Sequence, residues 1–158
     1  MNVFLVGPMG SGKSAVGRQL AQRLALEFID SDAEIEARTG VDIAYIFERE
    51  GEAGFRSREA EVIDALSRRD RVLVSTGGGA ILDASTRERL RARGRVGYLR
   101  TSVDKQLART RRSNDRPLLN NDDPRGTLER LFEQRAPLYT EVAEFVVDTD
   151  GRKVKAVV

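Results

Sequence analysis

The stretch "GPMGSGKS" at residues 7–14 matches GxxxxGK[ST], the pattern of a phosphate-binding loop (P-loop). It follows the apolar run "NVFLV" (2–6) and opens a segment of helical period that continues to about residue 24. Glycines in such a loop let backbone N–H groups converge on phosphate oxygens, and the positive end of the helix adds to the attraction. The stretch therefore predicts a nucleoside triphosphate site between a first strand and a first helix.

The side chains of this loop have distinct expected partners. Lys13 would reach the outer phosphates as a point charge, and the hydroxyl of Ser14 would ligate one Mg²⁺ ion. The expected nucleotide contacts are neighbours in the chain: Gly10, Ser11, Gly12, Lys13, Ser14 and Ala15.

The rest of the chain alternates short β-branched runs with longer segments of helical period, which is typical of a parallel sheet flanked by helices. Four more runs are expected to be strands: "EFID" (27–30), "RVLVS" (71–75), "RVGYLR" (95–100) and "EFVVD" (144–148). In the first helix Val16, Leu20 and Leu24 recur on one face, which we expect to be buried. The prediction is an α/β fold with a five-stranded parallel sheet, in a single domain over residues 1–158.

Two segments depart from this alternation. Residues 32–69 form an unusually long helical region with an apolar stripe at Phe55, Val62, Ile63 and Leu66, and we expect this insertion to bind substrate. Residues 109–126 are polar and rich in Asn, Asp and Pro. Because a loop of this length in a compact domain is usually functional or disordered, we expect a mobile lid over about 110–125.

Composition limits the chemistry that is available. The chain has no cysteine and no histidine, so a general base must be a carboxylate or a lysine. The net charge is only +2, and the basic stretch "RERLRAR" (87–93) has no interleaved aromatic residues, so we expect no nucleic-acid partner. The apolar runs are short and no signal peptide is recognisable, which predicts a cytoplasmic protein without membrane contact.

Acidic residues come at the end of the second expected strand, in "DSD" (30–32). Asp30 could hold the magnesium ion directly or through water, and Asp32 could face an acceptor hydroxyl. The alternative is that Ser31 or Asp32 simply caps the helix that begins with "AEIEAR".

The third expected strand runs instead into "STGGGA" (75–80), with three consecutive glycines. Each glycine in ordered structure costs roughly 0.5–1 kcal/mol relative to alanine, so a run of three needs a reason. A tight turn after the strand explains one or two of them. The third indicates that something approaches the backbone closely.

Taken together, these motifs resemble a bacterial shikimate kinase along almost the whole chain. The matching stretches are "GPMGSGKSAVGR", "FIDSDAEIE", "IFEREGEAGFRSRE", "STGGGA", "RPLL" and "QRAPLY". Many families share the first stretch, but the set in this order is highly specific. The resemblance implies the three-layer fold of the nucleoside-monophosphate-kinase-like P-loop proteins. It also implies transfer of the γ-phosphate of ATP to the 3-hydroxyl of shikimate, a step of aromatic amino-acid biosynthesis.

The resemblance also implies roles for residues that bind the acceptor. Arg56 and Arg135 match the arginines that hold the shikimate carboxylate, and Gly78 matches the glycine whose amide contacts the ring. Glu59, one helical turn from Arg56, would orient the guanidinium groups. Asp32 would accept the proton of the attacking hydroxyl. Phe47 and Phe55 are expected either to wall the apolar side of the ring or to pack in the core.

On the nucleotide side, Lys13 and Arg116 would stabilise the transferring phosphate, the latter from a lid that closes over both substrates. Arg109 matches the family's adenine-side arginine, and Arg152 is expected to add a contact there. Ala15 replaces a threonine that is common after the lysine-serine pair, which removes one hydroxyl near the α-phosphate. We expect the protein to act as a monomer.

Three other functions remain open. "EFVVDTDG" (144–151) contains the D-x-x-G of guanine-nucleotide switches, although no N-K-x-D segment occurs in the chain. A kinase of the same architecture could act on gluconate or on a nucleoside monophosphate. A catalytically silent binding module is disfavoured because Lys13, Asp32 and Arg116 are all present.

Overall fold

A computed structural model describes residues 1–9, 11–110 and 123–148, without the side chains of residues 109 and 110. Its five strands are β1 (Val3–Val6), β2 (Glu27–Asp30), β3 (Val72–Ser75), β4 (Arg95–Arg100) and β5 (Phe145–Asp148). They pair in parallel in the order β2-β3-β1-β4-β5. The prediction of a five-stranded parallel sheet is confirmed, and each strand lies within one residue of its expected bounds.

The helices that connect these strands are α1 (Lys13–Leu24), α2 (Ser31–Thr39), α3 (Ile43–Ser67), α4 (Ala84–Arg93), α5 (Val103–Thr110) and α6 (Pro124–Val142). A short 3₁₀ turn, Ala80–Leu82, follows β3. None of the helices in the described ranges is long and apolar enough to cross a membrane.

The sheet buries both of its faces. Along β1, Phe4 and Val6 pack on the side covered by α3, α4 and α6, whereas Val3 and Leu5 pack on the side of α1. Successive side chains of a strand point to opposite faces, so a strand covered on both sides reads as a continuous apolar run. This accounts for "NVFLV" and gives the three layers.

The inner face of α1 differs from the predicted stripe. Val16 is buried and Leu20 packs partly buried beside it, but Leu24 is 38% exposed, and the other buried residues on this face are Gly17 and Ala21. A Cβ on Gly17 would lie 2.8 Å from the Phe28 ring and 3.2 Å from Leu73. Helix α1 therefore comes closest to the sheet at Gly17, and this orientation leaves Leu24 outside the buried face.

The helical insertion consists of α2 and α3, and its predicted stripe is buried as expected: Phe55, Val62, Ile63 and Leu66. Within α3 the backbone is non-helical at Gly51, where φ is 73°. Only glycine adopts this region without strain, so α3 is kinked at that position.

The ends of the expected lid segment are helical. Helix α5 continues through Thr110, and α6 begins at Pro124 after Asp123, whose carboxylate accepts the Gly126 N–H. Proline suits the first position of a helix because its missing N–H has no partner there anyway. Residues 111–122, which make up most of the expected lid, lie outside the described residues.

Candidate active site

The carboxyl ends of β1, β2 and β3 open together on one cavity of about 280 Å³, which we call the strand-end cavity. It is lined by residues from α2, α3, the segment after β3, and α6. Among them are Asp30, Asp32, Phe47, Phe55, Arg56, Glu59, Gly77, Gly78, Gly79 and Arg135. The four expected acceptor-binding residues, Asp32, Arg56, Gly78 and Arg135, therefore meet at one place although they are far apart in the sequence.

The phosphate loop has the backbone that only glycines allow. Gly7 and Gly12 have φ angles of 149° and 87°, and a Cβ on Gly7 would lie 2.6 Å from the Leu99 carbonyl oxygen. Gly12 is the residue immediately before α1, so the N–H groups of Lys13 and Ser14 stand at the positive end of this helix. Gly10 lies outside the described residues.

Lys13 is buried against its own loop. Its Nζ donates hydrogen bonds to the carbonyl oxygens of Gly7 at 2.7 Å and Pro8 at 2.8 Å, and to Ser11 Oγ at 3.4 Å. The ammonium group is thus held at the centre of the loop, where a phosphate would bind.

Ser14 and Asp30, the two expected metal ligands, are in contact. Ser14 Oγ donates to Asp30 Oδ2 at 2.8 Å. The other oxygen of Asp30 accepts the N–H groups of Asp32 at 2.9 Å and Ala33 at 3.2 Å. Asp30 is therefore the cap of α2, and the alternative that Ser31 or Asp32 caps this helix is wrong.

The three consecutive glycines after β3, residues 77–79, leave space that side chains from other parts of the protein occupy. A Cβ on Gly77 would lie 2.7 Å from Glu59 Oε2 and 2.8 Å from Asp32 Oδ1, and a Cβ on Gly79 would overlap the Arg56 guanidinium. Gly78 is less crowded, with Met9 N at 3.3 Å. Gly77, Gly78 and Gly79 all have φ outside the positive range, so the close approach of neighbouring atoms, and not backbone freedom, favours glycine here. The sequence interpretation had considered only a turn and a ligand.

Arg56 and Glu59 form the charged pair of the cavity. Arg56 Nη1 donates to Glu59 Oε1 at 2.8 Å, as the sequence predicted, and Arg56 Nε lies 3.5 Å from the exposed Glu52. Burial raises the pKa of Glu59 to about 7, with the Asp32 charge adding to the rise and Arg56 opposing it. The Glu59 carboxylate is only 2% exposed. Its ionised form therefore depends on the neighbouring arginine.

Arg135 is buried to a similar extent on α6, with 3% exposure. Loss of solvent lowers the pKa of its guanidinium, and the Arg56 charge adds to this effect. Two cations thus face one cavity that already contains Asp32 and Glu59. An anionic ligand bound between the arginines would offset their mutual repulsion.

Phe47 and Phe55 both line the strand-end cavity and pack with the core, so the expected core packing is confirmed and the contact with the acceptor ring stays a prediction. Their rings lie 4.9 Å apart and line the strand-end cavity, while Phe55 is also part of the hydrophobic core. The Arg56 guanidinium lies 5.2 Å from the Phe55 ring centre, a cation–π geometry that helps to fix Arg56.

Tyr139 is a residue of the site that the sequence interpretation missed. Its hydroxyl donates to the Gly78 carbonyl oxygen, and its ring stacks on Tyr98 at 5.0 Å. The available signal was the spacing in "QRAPLY": a residue four positions after Arg135 lies on the same face of a helix.

Three expected site residues lie where the structure gives no information on their role. Arg116 and Arg152 are outside the described residues, and so is the side chain of Arg109, although its backbone belongs to α5.

Comparison with known proteins agrees with this geometry. The family model for shikimate kinase matches residues 9–158. The shikimate kinase of Halorhodospira halophila is 60% identical over 155 residues, which cover 98% of this chain and 88% of that protein. The chain belongs to the shikimate kinase family. The prediction made from the sequence motifs is therefore confirmed at the level of the family, whose members are kinases that use ATP as co-substrate.

Solved structures extend the comparison to the fold. The shikimate kinase from Acinetobacter baumannii in complex with shikimate superposes with a TM-score of 0.96 at 50% identity, covering 98% of this chain and 87% of that one. A deoxyadenosine kinase from M. mycoides, with bound dATP, has a TM-score of 0.63 at 15% identity. The second likeness shows the fold alone. The shikimate kinase family thus shares its three-layer P-loop architecture with other small-molecule kinases.

Proposed function

We propose that this chain transfers the γ-phosphate of ATP to the 3-hydroxyl of shikimate, giving shikimate 3-phosphate on the route to chorismate and the aromatic amino acids. The observation that carries the proposal is the composition of the strand-end cavity in a member of this family. A buried arginine, Arg135, a partly buried one, Arg56, a carboxylate and a glycine backbone converge there, beside the phosphate loop. The complex of the Acinetobacter baumannii relative with shikimate supports the choice of acceptor.

The arginines are the proposed binding site of the acceptor carboxylate. Arg56 comes from α3 and Arg135 from α6, so the two approach from different elements and define an orientation as well as a charge. A guanidinium can bind a carboxylate through two parallel hydrogen bonds, which a lysine cannot do. The Gly78 amide would contact the ring between them. This arrangement selects a small acid with hydroxyl groups.

Asp32 is the proposed general base. It follows Asp30, the proposed metal ligand, by two residues, and its Oδ1 lies next to Gly77, across from Glu59. A carboxylate there can accept the proton of the attacking hydroxyl while the like charge of Glu59 is offset by Arg56. With histidine and cysteine absent from the chain, this carboxylate is the natural acceptor for the proton.

The nucleotide site is proposed at residues 10–15, with Lys13 moving from the loop carbonyl oxygens to the β- and γ-phosphates. Little covalent chemistry is required for phosphoryl transfer, so positioning and charge stabilisation provide most of the catalysis. Arg116 would add a positive charge from the lid, and Arg109 and Arg152 would contact the adenine. Closure of the lid at about 110–125 would exclude water that could otherwise attack ATP.

The residues near the loop fit one Mg²⁺ ion. Ser14 Oγ and Asp30 Oδ2 are hard oxygen ligands only 2.8 Å apart, and magnesium usually takes one or two protein ligands with water and phosphate oxygens. The described residues contain no cluster of three or more acidic, His or Cys side chains, so a site supplied wholly by these residues is not indicated. When bound, the ion neutralises charge on the β- and γ-phosphates.

We further propose that residues 1–158 act as one domain and as a monomer in the cytoplasm, with the helical insertion at 32–69 forming the acceptor side. Helices α3 and α6 pack on the same face of the sheet, and both reach the strand-end cavity. This supports a single functional unit.

The test is a coupled assay of ADP release with ATP, magnesium and shikimate, run beside the same mixture without shikimate. We expect turnover that depends on shikimate and little ATP hydrolysis without it. Gluconate and a nucleoside monophosphate in place of shikimate test the other kinases of this architecture, and GTP turnover without an acceptor tests the switch. A faster reaction with any of these than with shikimate would overturn the proposal. No ADP release under any condition would indicate a binding module.

A further inference from the structure

The turn after β3 carries no side chains that could hold it in place. Residues 77–79 are all glycine, the residue with the greatest backbone freedom, yet the acceptor is expected to contact this backbone. A site of this kind must be held by groups from outside the turn, since small displacements of a bound reactant reduce the rate steeply.

Two buried hydroxyl groups bind the backbone of the turn. On one side the Gly77 N–H donates to Ser31 Oγ at 3.2 Å, and Ser31 is fully buried at the start of α2. On the other side Tyr139 donates its hydroxyl hydrogen to the Gly78 carbonyl oxygen. Because a trans peptide is planar, this second bond also fixes the direction of the Gly79 N–H. The 77–78 peptide, which carries the Gly78 N–H, therefore lies between two anchored peptides.

Tyr139 is itself held rigidly. It is 2% exposed, its ring stacks on Tyr98 with an interplanar angle of 29°, and it is part of the main hydrophobic core. Burial strongly raises the pKa of its hydroxyl, which therefore stays protonated and remains a hydrogen-bond donor.

The Tyr139 side chain also lies beside Arg135. The two residues are one turn apart on α6 and line one small cavity together with Pro8. Tyr139 also counteracts the burial that lowers the pKa of the Arg135 guanidinium. Arg135 Nη1 is in turn 3.5 Å from the position a Cβ would occupy on Gly78. Tyr139 thus donates to a carbonyl oxygen of the glycine turn and lies beside the cation that faces the same turn.

We propose that Tyr139 is a positioning residue for the acceptor: its hydroxyl holds the Gly78 peptide and the Arg135 guanidinium in one fixed arrangement in the strand-end cavity. The inference rests on the proposed function, because it assigns the acceptor contacts to Gly78 and Arg135. Tyr139 does not touch the reacting atoms in this account. It acts through Arg135 and through the turn that carries the Gly78 N–H, the two groups proposed to bind the acceptor.

The experiment compares Tyr139→Phe with wild type and with Tyr98→Phe. The first variant removes only the hydroxyl and keeps the ring stack, whereas the control removes the hydroxyl of the other ring of the same pair. The Kd for shikimate, measured by calorimetry, and its KM are expected to rise about 10-fold in Tyr139→Phe, the scale of one lost buried hydrogen bond. The KM for ATP, and all constants of Tyr98→Phe, should stay within about twofold of wild type.

A double-mutant cycle with Arg135→Lys separates positioning from simple stabilisation. If Tyr139 acts by orienting Arg135, removing the Tyr139 hydroxyl should change the shikimate Kd much less when position 135 is lysine, which lacks the planar guanidinium. The effects of the two substitutions on the shikimate Kd are then non-additive. Thermal unfolding of each variant shows that the folded proteins are being compared.

The outcomes distinguish the two proposals. The role of Tyr139 would be overturned by an unchanged shikimate Kd in Tyr139→Phe. It would also be overturned by a lower melting temperature of the variant together with additive effects in the cycle. In either case, wild-type activity with shikimate would leave the proposed function intact. A wild-type protein that does not phosphorylate shikimate overturns the proposed function and the assignment together.

Discussion

The phosphate loop and the strand-end cavity adjoin each other but are built in opposite ways. The loop is one continuous stretch, residues 7–14, and its shape follows from two glycines with positive φ and from the helix that begins at Lys13. The cavity takes its functional groups from α2, α3, the turn after β3, and α6. Backbone dipoles dominate the first region, and buried charged side chains dominate the second.

This difference has consequences for mutation. In the loop the groups proposed to bind phosphate are mostly peptide N–H groups, which a side-chain substitution does not remove. In the cavity each charged group depends on a neighbouring residue: Glu59 on the charge of Arg56, Arg56 on the space left by Gly79, and Asp32 on the space left by Gly77. Substitutions in the cavity should therefore couple to one another, which supports testing them in pairs.

The largest effect is expected from Asp32→Asn. An amide cannot take the proton of the acceptor hydroxyl, so kcat should fall by about two to four orders of magnitude, the usual range for a positioned acid-base group. The KM for ATP should stay near that of wild type, because the phosphate loop does not involve Asp32. Steady-state kinetics of ADP release measures both. A kcat near the wild-type value would rule out Asp32 as the base.

The second prediction concerns Arg56→Ala. Arg56 and the acceptor carboxylate form the proposed charge pair. Removing one partner of such a desolvated pair costs several kcal/mol, so the KM for shikimate should rise about 100-fold. Arg58 is the matched control, because it lies two residues further along α3, is 45% exposed and pairs with the exposed Glu50. Arg58→Ala should leave the KM for shikimate unchanged. Equal effects of the two substitutions would mean that general charge, not the cavity, attracts the acceptor.

The third prediction is a pH dependence of stability that originates in the cavity. The folded-state pKa of Glu59, about 7, lies above its ordinary value of 4.5, so the folded protein binds more protons than the unfolded chain between these values. The resulting stabilisation is complete below pH 4.5 and is lost as pH rises through 7.

Urea unfolding of wild type and Glu59→Gln at two pH values measures this contribution. Between about pH 5 and pH 8 the wild type should lose about 2–3 kcal/mol of unfolding free energy relative to the variant. Glu50→Gln is the control, because Arg58 lowers the pKa of the exposed Glu50 and this group does not titrate in that window. A difference between wild type and Glu59→Gln that is the same at both pH values would refute the raised pKa.

The smallest effect is expected from Asp30→Asn, on the side of the phosphate loop. Asparagine caps a helix about as well as aspartate, so α2 should keep its N-terminus, but the charge offered to the metal is lost. The magnesium concentration for half-maximal rate should rise about 10-fold, in line with ligand-shell substitutions in other metal sites. Asp83→Asn, which changes the cap of α4, is the control. An unchanged magnesium requirement would argue against Asp30 as a ligand.

The sequence was most informative where the structure is local. Strand bounds, the phosphate loop and the Arg56–Glu59 pair were all predicted, because each depends on residues within a few positions of one another. The buried face of α1 was wrong at Leu24, because the approach of Gly17 to Phe28 and Leu73 sets the rotation of that helix. The cap of α2 was also misassigned, because Asp30 ends β2 and caps the helix with the same side chain.

By itself, the sequence determined the fold class and the family, and it predicted which residues bind a triphosphate and a small acid. The hydrophobic periodicity and the conformation of the glycine-rich loop depend on short-range steric effects, so they can be predicted from the order of residues along the chain. Only the tertiary structure decided why three glycines follow β3 and that Tyr139 binds Gly78. Those contacts join residues up to 61 positions apart, and which distant side chains share a small buried volume is fixed by packing of the whole chain.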